Sequence, residues 1–112
     1  MSGRMFVYIT ASSVREAERI GRVLVEEGLA ACLNIFPVRS IYRWKGKVEG
    51  SAEAVIIAKT RRGLFGRLVE RVREIHSYEL PCIVGFNIVA GEKRFLEWID
   101  GETGGKRGNP SG

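Results

Sequence analysis

Few residues in this chain could do chemistry, and they are unevenly spread. The single histidine, His76, stands in the stretch EIHSYELP (74–81), with Tyr78 and Glu79 behind it and Cys82 just past Pro81. The other cysteine, Cys32, lies far upstream. Imidazole suits copper and zinc, and thiolate suits Cu(I) and zinc. His76, Glu79, Cys32 and Cys82 are therefore the candidate metal ligands, with Tyr78 as a hydrogen-bond donor behind them. A structural zinc site wants four ligands at close spacing, and these residues do not offer that within the chain. His76 also has a plainer role open to it. An imidazole at a helix C-terminus can bond a free carbonyl and complement the helix dipole.

Catalysis finds no such footing. G-x-S-x-G, the Walker A loop and G-x-G-x-x-G are all missing from the sequence. Cysteine–histidine catalysis would need a thiol beside His76 and an orienting partner, yet a turn and Pro81 separate it from Cys82. The expectation is a protein that is not an enzyme and has no obligatory cofactor. Neither cysteine belongs to a C-x-x-C pair, so two buried, inert thiols are the ordinary reading.

The elements that must position these residues can be read from periodicity. Met5–Thr10 (MFVYIT) is a short apolar run, read as a strand. Ser13 with Glu16 forms a capping-box pattern, followed by Val14, Ala17, Ile20, Gly21 and Leu24 at helical spacing, with Gly28 as a stop. ACLNIFPVRSIYRW is β-rich but contains Pro37, which predicts an edge or bulged strand. A turn around Gly46 and the run VEGSAEAVIIAKT complete a long hairpin. Arg61–His76 carries Leu64, Phe65, Leu68, Val69, Val72 and Ile75 on one stripe, predicting a second helix. CIVGFNIVA (82–90) reads as a last strand and Glu92–Asp100 as a short helix. Residues 4–102 form one domain, and the Gly-rich, polar 103–112 a flexible tail.

The order β-α-β-β-α-β with a terminal helix predicts an α+β, ferredoxin-like sandwich with a four-stranded antiparallel sheet. In its usual 4-1-3-2 strand order, Cys32 and Cys82 fall at opposite edges, too far apart to share a metal within one subunit. One feature conflicts with a sheet covered by helices on one face only. In EAVIIAK both alternate sets are apolar, and MFVYI and IVGFNIV behave alike. The second face needs a cover, and a further copy of the chain is the economical one.

Five segments in register, LAACLNI (29–35), SIYRWKGKV (40–48), EAVIIAKT (53–60), HSYELPCI (76–83) and FLEWI (95–99), resemble the CutA family of divalent-cation tolerance proteins. The resemblance spans about residues 5 to 100. It implies a homotrimer, similar to PII signalling proteins, whose long hairpin (roughly 34–60) pairs with neighbouring subunits. It also implies copper-type divalent metal binding or tolerance, with Cu2+ or Zn2+ as the possible ion. The alternative is a PII-like signalling or scaffold trimer that binds a small molecule or protein partner in its inter-subunit clefts. Tyr42, Trp44, Lys59, Tyr78 and Trp98 are the candidate cleft and interface residues, including a Lys59–Glu79 pair. Ser77 stands where the family commonly has proline, and Cys82 where a polar residue often follows Pro81.

A net charge of +5 raises nucleic acid as a partner. The charges lie mostly on helix faces interleaved with Glu, and RRGLFGRLV falls on a helix rather than on the central strand that RNA-recognition modules use. No nucleic-acid partner is expected. No apolar run reaches the ~20 residues that span a bilayer. No signal peptide is evident, so a cytoplasmic location is expected.

Overall fold

In a computed structural model describing residues 3–104, the elements are β1 (Arg4–Ala11), α1 (Val14–Glu26), β2 (Cys32–Trp44), β3 (Lys47–Arg61), α2 (Phe65–Ile75), β4 (Ile83–Asn87) and α3 (Lys93–Gly101). The strands form one antiparallel sheet in the order β2-β3-β1-β4, as expected for the ferredoxin-like sandwich.

Alternation along the strands decides what each face carries. Val7, Ile9 and Ala11 of β1 face the same side as Ala54, Ile56 and Ala58 of β3. They join Ala17, Ile20 and Leu24 of α1 and Leu68 and Val72 of α2 in one buried core. Gly21 belongs to the packed stripe of α1 because a Cβ there would meet Leu33 Cδ1 at 2.8 Å. The opposite parity gives the other face. Phe6, Phe36, Val84 and Phe86 line it and remain 39%, 40%, 47% and 58% exposed. The two-sided apolar strands therefore leave one face of the sheet open to solvent in the single chain.

The hairpin is the longest feature. The β1–β3 ladder ends at Ala11 and Ala54, so residues 38–44 and 47–53 project beyond it as a two-stranded arm. At ~3.3 Å per residue the arm is about 20 Å long. Lys45 (φ 51°) and Gly46 (φ 82°) form its tip with two consecutive left-handed residues, which match the twist of the flanking strands. Pro37 sits on β2, an edge strand, where the lost N–H costs no ladder bond to a second neighbour.

The main departures from the sequence reading lie at four places. Arg61 belongs to β3, opposite Arg4, and a 3-10 turn over Arg62–Leu64 precedes α2. The last strand is shorter than 82–90 because its only partner, β1, runs out: the ladder ends at Met5 opposite Asn87. The last helix starts one residue later, since Glu92 is its cap and accepts the Phe95 N–H at 2.8 Å. The fold also reaches past residue 102. Thr103 is fully buried, its Oγ1 donates to the Ile99 carbonyl at 2.7 Å, and Arg61 Nε donates to that same oxygen at 2.9 Å. Gly104 N–H then bonds the Gly28 carbonyl at 2.8 Å. The rest of the expected tail, 105–112, lies outside the described residues.

Candidate functional site

The junction between α2 and β4 is built around two buried polar side chains. Ser13 caps α1, its Oγ accepting the Glu16 N–H at 3.0 Å. The Glu16 carboxylate reaches back one residue further than the capping box predicts, accepting the N–H (2.9 Å) and Oγ–H (2.7 Å) of Ser12. Its second oxygen accepts the Ser77 N–H at 2.8 Å, which ties the start of α1 to the end of α2. Burial alone pushes this carboxyl up, but the hydrogen bonds from Ser12 and Ser77 outweigh it and lower its pKa to about 2.

His76 follows the last turn of α2 in extended conformation, its own N–H bonding the Val72 carbonyl. Its side chain is fully buried. The Tyr78 N–H, which can only donate, lies 3.0 Å from Nδ1. Nδ1 must therefore accept, which places the proton on Nε2, and Nε2 donates to the Thr10 carbonyl at 2.7 Å. The expected helix-capping role is corrected in one respect: the ring bonds the end of β1, not a carbonyl of α2. The extended backbone at His76 turns the ring inward toward β1. Both ring nitrogens are engaged.

Tyr78 is thereby fixed over the root of the arm. Its ring lies 4.9 Å from that of His76, and its hydroxyl donates to Glu53 of β3. Burial first, and the hydrogen bond to Glu53 second, push the phenol far above its ordinary value. Burial and the Glu53 charge raise the Cys82 thiol.

Between the arm and this junction lies a groove of about 730 Å3. Tyr42 and Trp44 line it from the arm, Tyr78, Glu79 and Cys82 from the junction, and Glu53 and Thr10 from β3 and β1. The structure thus gathers five of the residues singled out from sequence, and places His76 directly behind them. Sequence reasoning missed Glu53, which lies in a quoted segment but carries no spacing signal; only the arm's approach to Tyr78 reveals it. The capping-box spacing of Glu16 points to a cap alone and gives no sign of its bond to Ser77.

The remaining candidates stand elsewhere. Cys32 opens β2 at the far edge of the sheet, opposite Lys59 in register, whereas Cys82 precedes β4 at the other edge. Lys59 is buried on the open face, donates to Asn34 Oδ1, and lies 5.7 Å from the Phe6 ring centroid; Glu79 is not its partner within the chain. Trp98 lies on α3, stacked on Phe95 at 5.6 Å and 43% exposed. Among the described residues no three His, Cys, Asp or Glu side chains come together closely enough to hold a metal ion. The four candidate ligands therefore do not form one site within a single chain. No helix of the described residues is long and apolar enough to cross a membrane.

Comparison with known proteins gives a consistent picture. A family model described as CutA1 divalent ion tolerance protein matches residues 5–102. A divalent-cation tolerance protein CutA from Archaeoglobus fulgidus is 50% identical over 95 residues, covering 85% of this chain and 93% of the relative. A chloroplastic CutA protein of Arabidopsis thaliana is 37% identical over 98 residues, and there the match spans 87% of this chain but only 54% of the longer relative. Among solved structures, one described as the periplasmic divalent cation tolerance protein CutA from Archaeoglobus fulgidus superimposes with a TM-score of 0.87 at 47% identity, covering 88% of this chain and 97% of that one. The Cut A1 divalent cation tolerance protein from Thermus thermophilus gives 0.88 at 42% identity, covering 90% and 99%.

Proposed function

The chain belongs to the CutA1 divalent ion tolerance protein family, and from that membership we propose that it is a non-catalytic homotrimer that binds divalent metal ions, copper or zinc, between its subunits. The observation that carries this reading is the separation of the donors. Cys32 and Cys82 lie at opposite sheet edges of one chain, while the sheet face between them is apolar and open. Edge strands and an exposed apolar face are what self-association buries. When copies meet edge to edge, Cys32 of one approaches Cys82 and Glu79 of the next. His76 serves there by fixing the backbone of Tyr78.

Native mass spectrometry of the assembled protein with Cu(II) and with Zn(II) tests this. A trimer that retains metal, and loses most of it in Cys82→Ser and Glu79→Gln, is expected. A trimer that retains none, or metal that survives both substitutions, overturns the metal reading.

A second reading is favoured by the groove itself. Its size falls in the range of small-molecule sites, about 300–1,000 Å3, and Tyr42, Trp44, Tyr78 and Glu79 converge on it. On this reading the trimer is a signalling or scaffold protein whose cleft takes a small organic ligand. A cytoplasmic location belongs to the same proposal, supported by two cysteines left unpaired, which fits a reducing compartment. Recovery of the protein from an extracytoplasmic fraction of its source cells would overturn it.

A further inference from the structure

We propose that the groove between the hairpin arm and the α2–β4 junction binds a small organic ammonium ion, held by aromatic faces and by the carboxylates of Glu53 and Glu79. The inference rests on the second reading above, that the groove is a ligand cleft, and names the chemistry of its ligand.

The lining decides the sign of the charge. Among the lining residues two carboxylates, Glu53 and Glu79, outnumber one cation, Arg43, in a chain whose net charge is +5. Beside burial, the Glu53 charge acts on both the Tyr78 phenol and the Cys82 thiol. An anion would meet this balance of charge unfavourably. A bare divalent ion fits poorly too, because no three ligating side chains converge among the described residues.

The remaining wall is aromatic and aliphatic. Tyr42 and Trp44 come from the arm and Leu80 from the junction. Tryptophan gives the strongest cation–π attraction among the side chains. The indole of Trp44 already draws a cation of its own chain, with Lys45 Nζ 6.0 Å from the ring centroid. The two carboxylates differ in how free they are. Glu53 is held by the Tyr78 hydroxyl and keeps acceptor capacity on its other oxygen. Glu79 is exposed and makes no hydrogen bond or ion pair within the described residues. Both carboxylates are thus open to an ammonium donor, while its organic part covers Leu80 and the aromatic rings.

The test uses the full-length assembled protein and three probes of similar size: benzylammonium, benzyl alcohol and benzoate, titrated calorimetrically. Benzylammonium is expected to bind about tenfold or more tightly than either other probe. Glu79→Gln and Trp44→Leu are each expected to weaken it by a similar factor, with sedimentation velocity checking that assembly is unchanged. Glu79 is exposed, so its substitution probes the groove without touching the core. Equal affinity for the three probes, or benzylammonium binding unchanged in Glu79→Gln, overturns the proposal. Preferential binding of benzoate or benzyl alcohol in the groove would leave the ligand-cleft reading standing and remove this one. No binding by any probe removes both.

Discussion

Replacing Glu16 by glutamine probes the buried carboxylate that ties α1 to the α2–β4 junction. The Glu16 carboxyl is 7% exposed and accepts hydrogen bonds from the N–H and hydroxyl of Ser12 and the N–H of Ser77. Its pKa falls from an ordinary 4.5 to about 2 in the folded protein. Because the folded value is depressed, the stabilisation is complete above the unfolded pKa and is lost as pH falls through the folded one. A gap of about 2.5 units corresponds to about 3 kcal/mol. Glutamine keeps the size but turns one oxygen into an NH2, which meets an N–H donor and adds a pH-independent cost of about 1–3 kcal/mol. Guanidinium unfolding across the acid range, at fixed protomer concentration because assembly shifts apparent stability, separates the two parts. The advantage of the natural protein over Glu16→Gln should be constant above about pH 5 and shrink by about 3 kcal/mol toward pH 2. Parallel stability curves through that window would refute the assignment of Glu16 as a charged anchor.

Other perturbations follow from the same geometry. His76→Ala strips partners from the Thr10 carbonyl and the Tyr78 N–H; a loss of about 1–3 kcal/mol per orphaned group is expected by chemical denaturation. Leu68→Ala empties a fully buried position on α2 and should cost about 2–5 kcal/mol by the same assay. Phe86→Asp places a charge on the open sheet face, and sedimentation should show it monomeric at concentrations where the trimer proposed for the natural protein is populated. Gly46→Val puts a β-branched residue at φ 82°, and a loss of about 1–2 kcal/mol is expected, with the hairpin tip alone perturbed in amide exchange.

Local periodicity was sufficient for the order of elements and the core face of the helices, and the β-α-β-β-α-β order carried the strand order through the fold it matches. Leu68 and Val72 are legible because burial on one face imposes a period of 3.6 in helices, whereas both alternate sets of β1 and β3 are apolar and only packing against α1 and α2 shows that Val7, Ile9 and Ile56 face the core. The excess of apolar residues on the second strand face was legible because Phe6 and Phe86 break the alternation a one-sided sheet would show. The hairpin tip was marked by Gly46, whose φ needs no side chain to be argued. Element ends were less legible. The end of β4 depends on how far β1 extends, and the burial of Thr103 depends on Arg61, 42 residues away.

What only the tertiary structure decided is which polar groups meet. Spacing placed His76 beside Tyr78 and Glu79, and suggested a ligand or a helix cap. The fold instead brings the carbonyl of Thr10 to one ring nitrogen and the N–H of Tyr78 to the other. Likewise the Glu53 carboxylate reaches Tyr78 because the arm runs past the junction, a contact between residues 25 apart. Hydrogen-bond partners distant in sequence leave no periodic trace. The sequence alone determined the layers and their apolar faces, because burial repeats along the chain, while a site assembled from the ends of β1, β3 and α2 exists only once those ends converge.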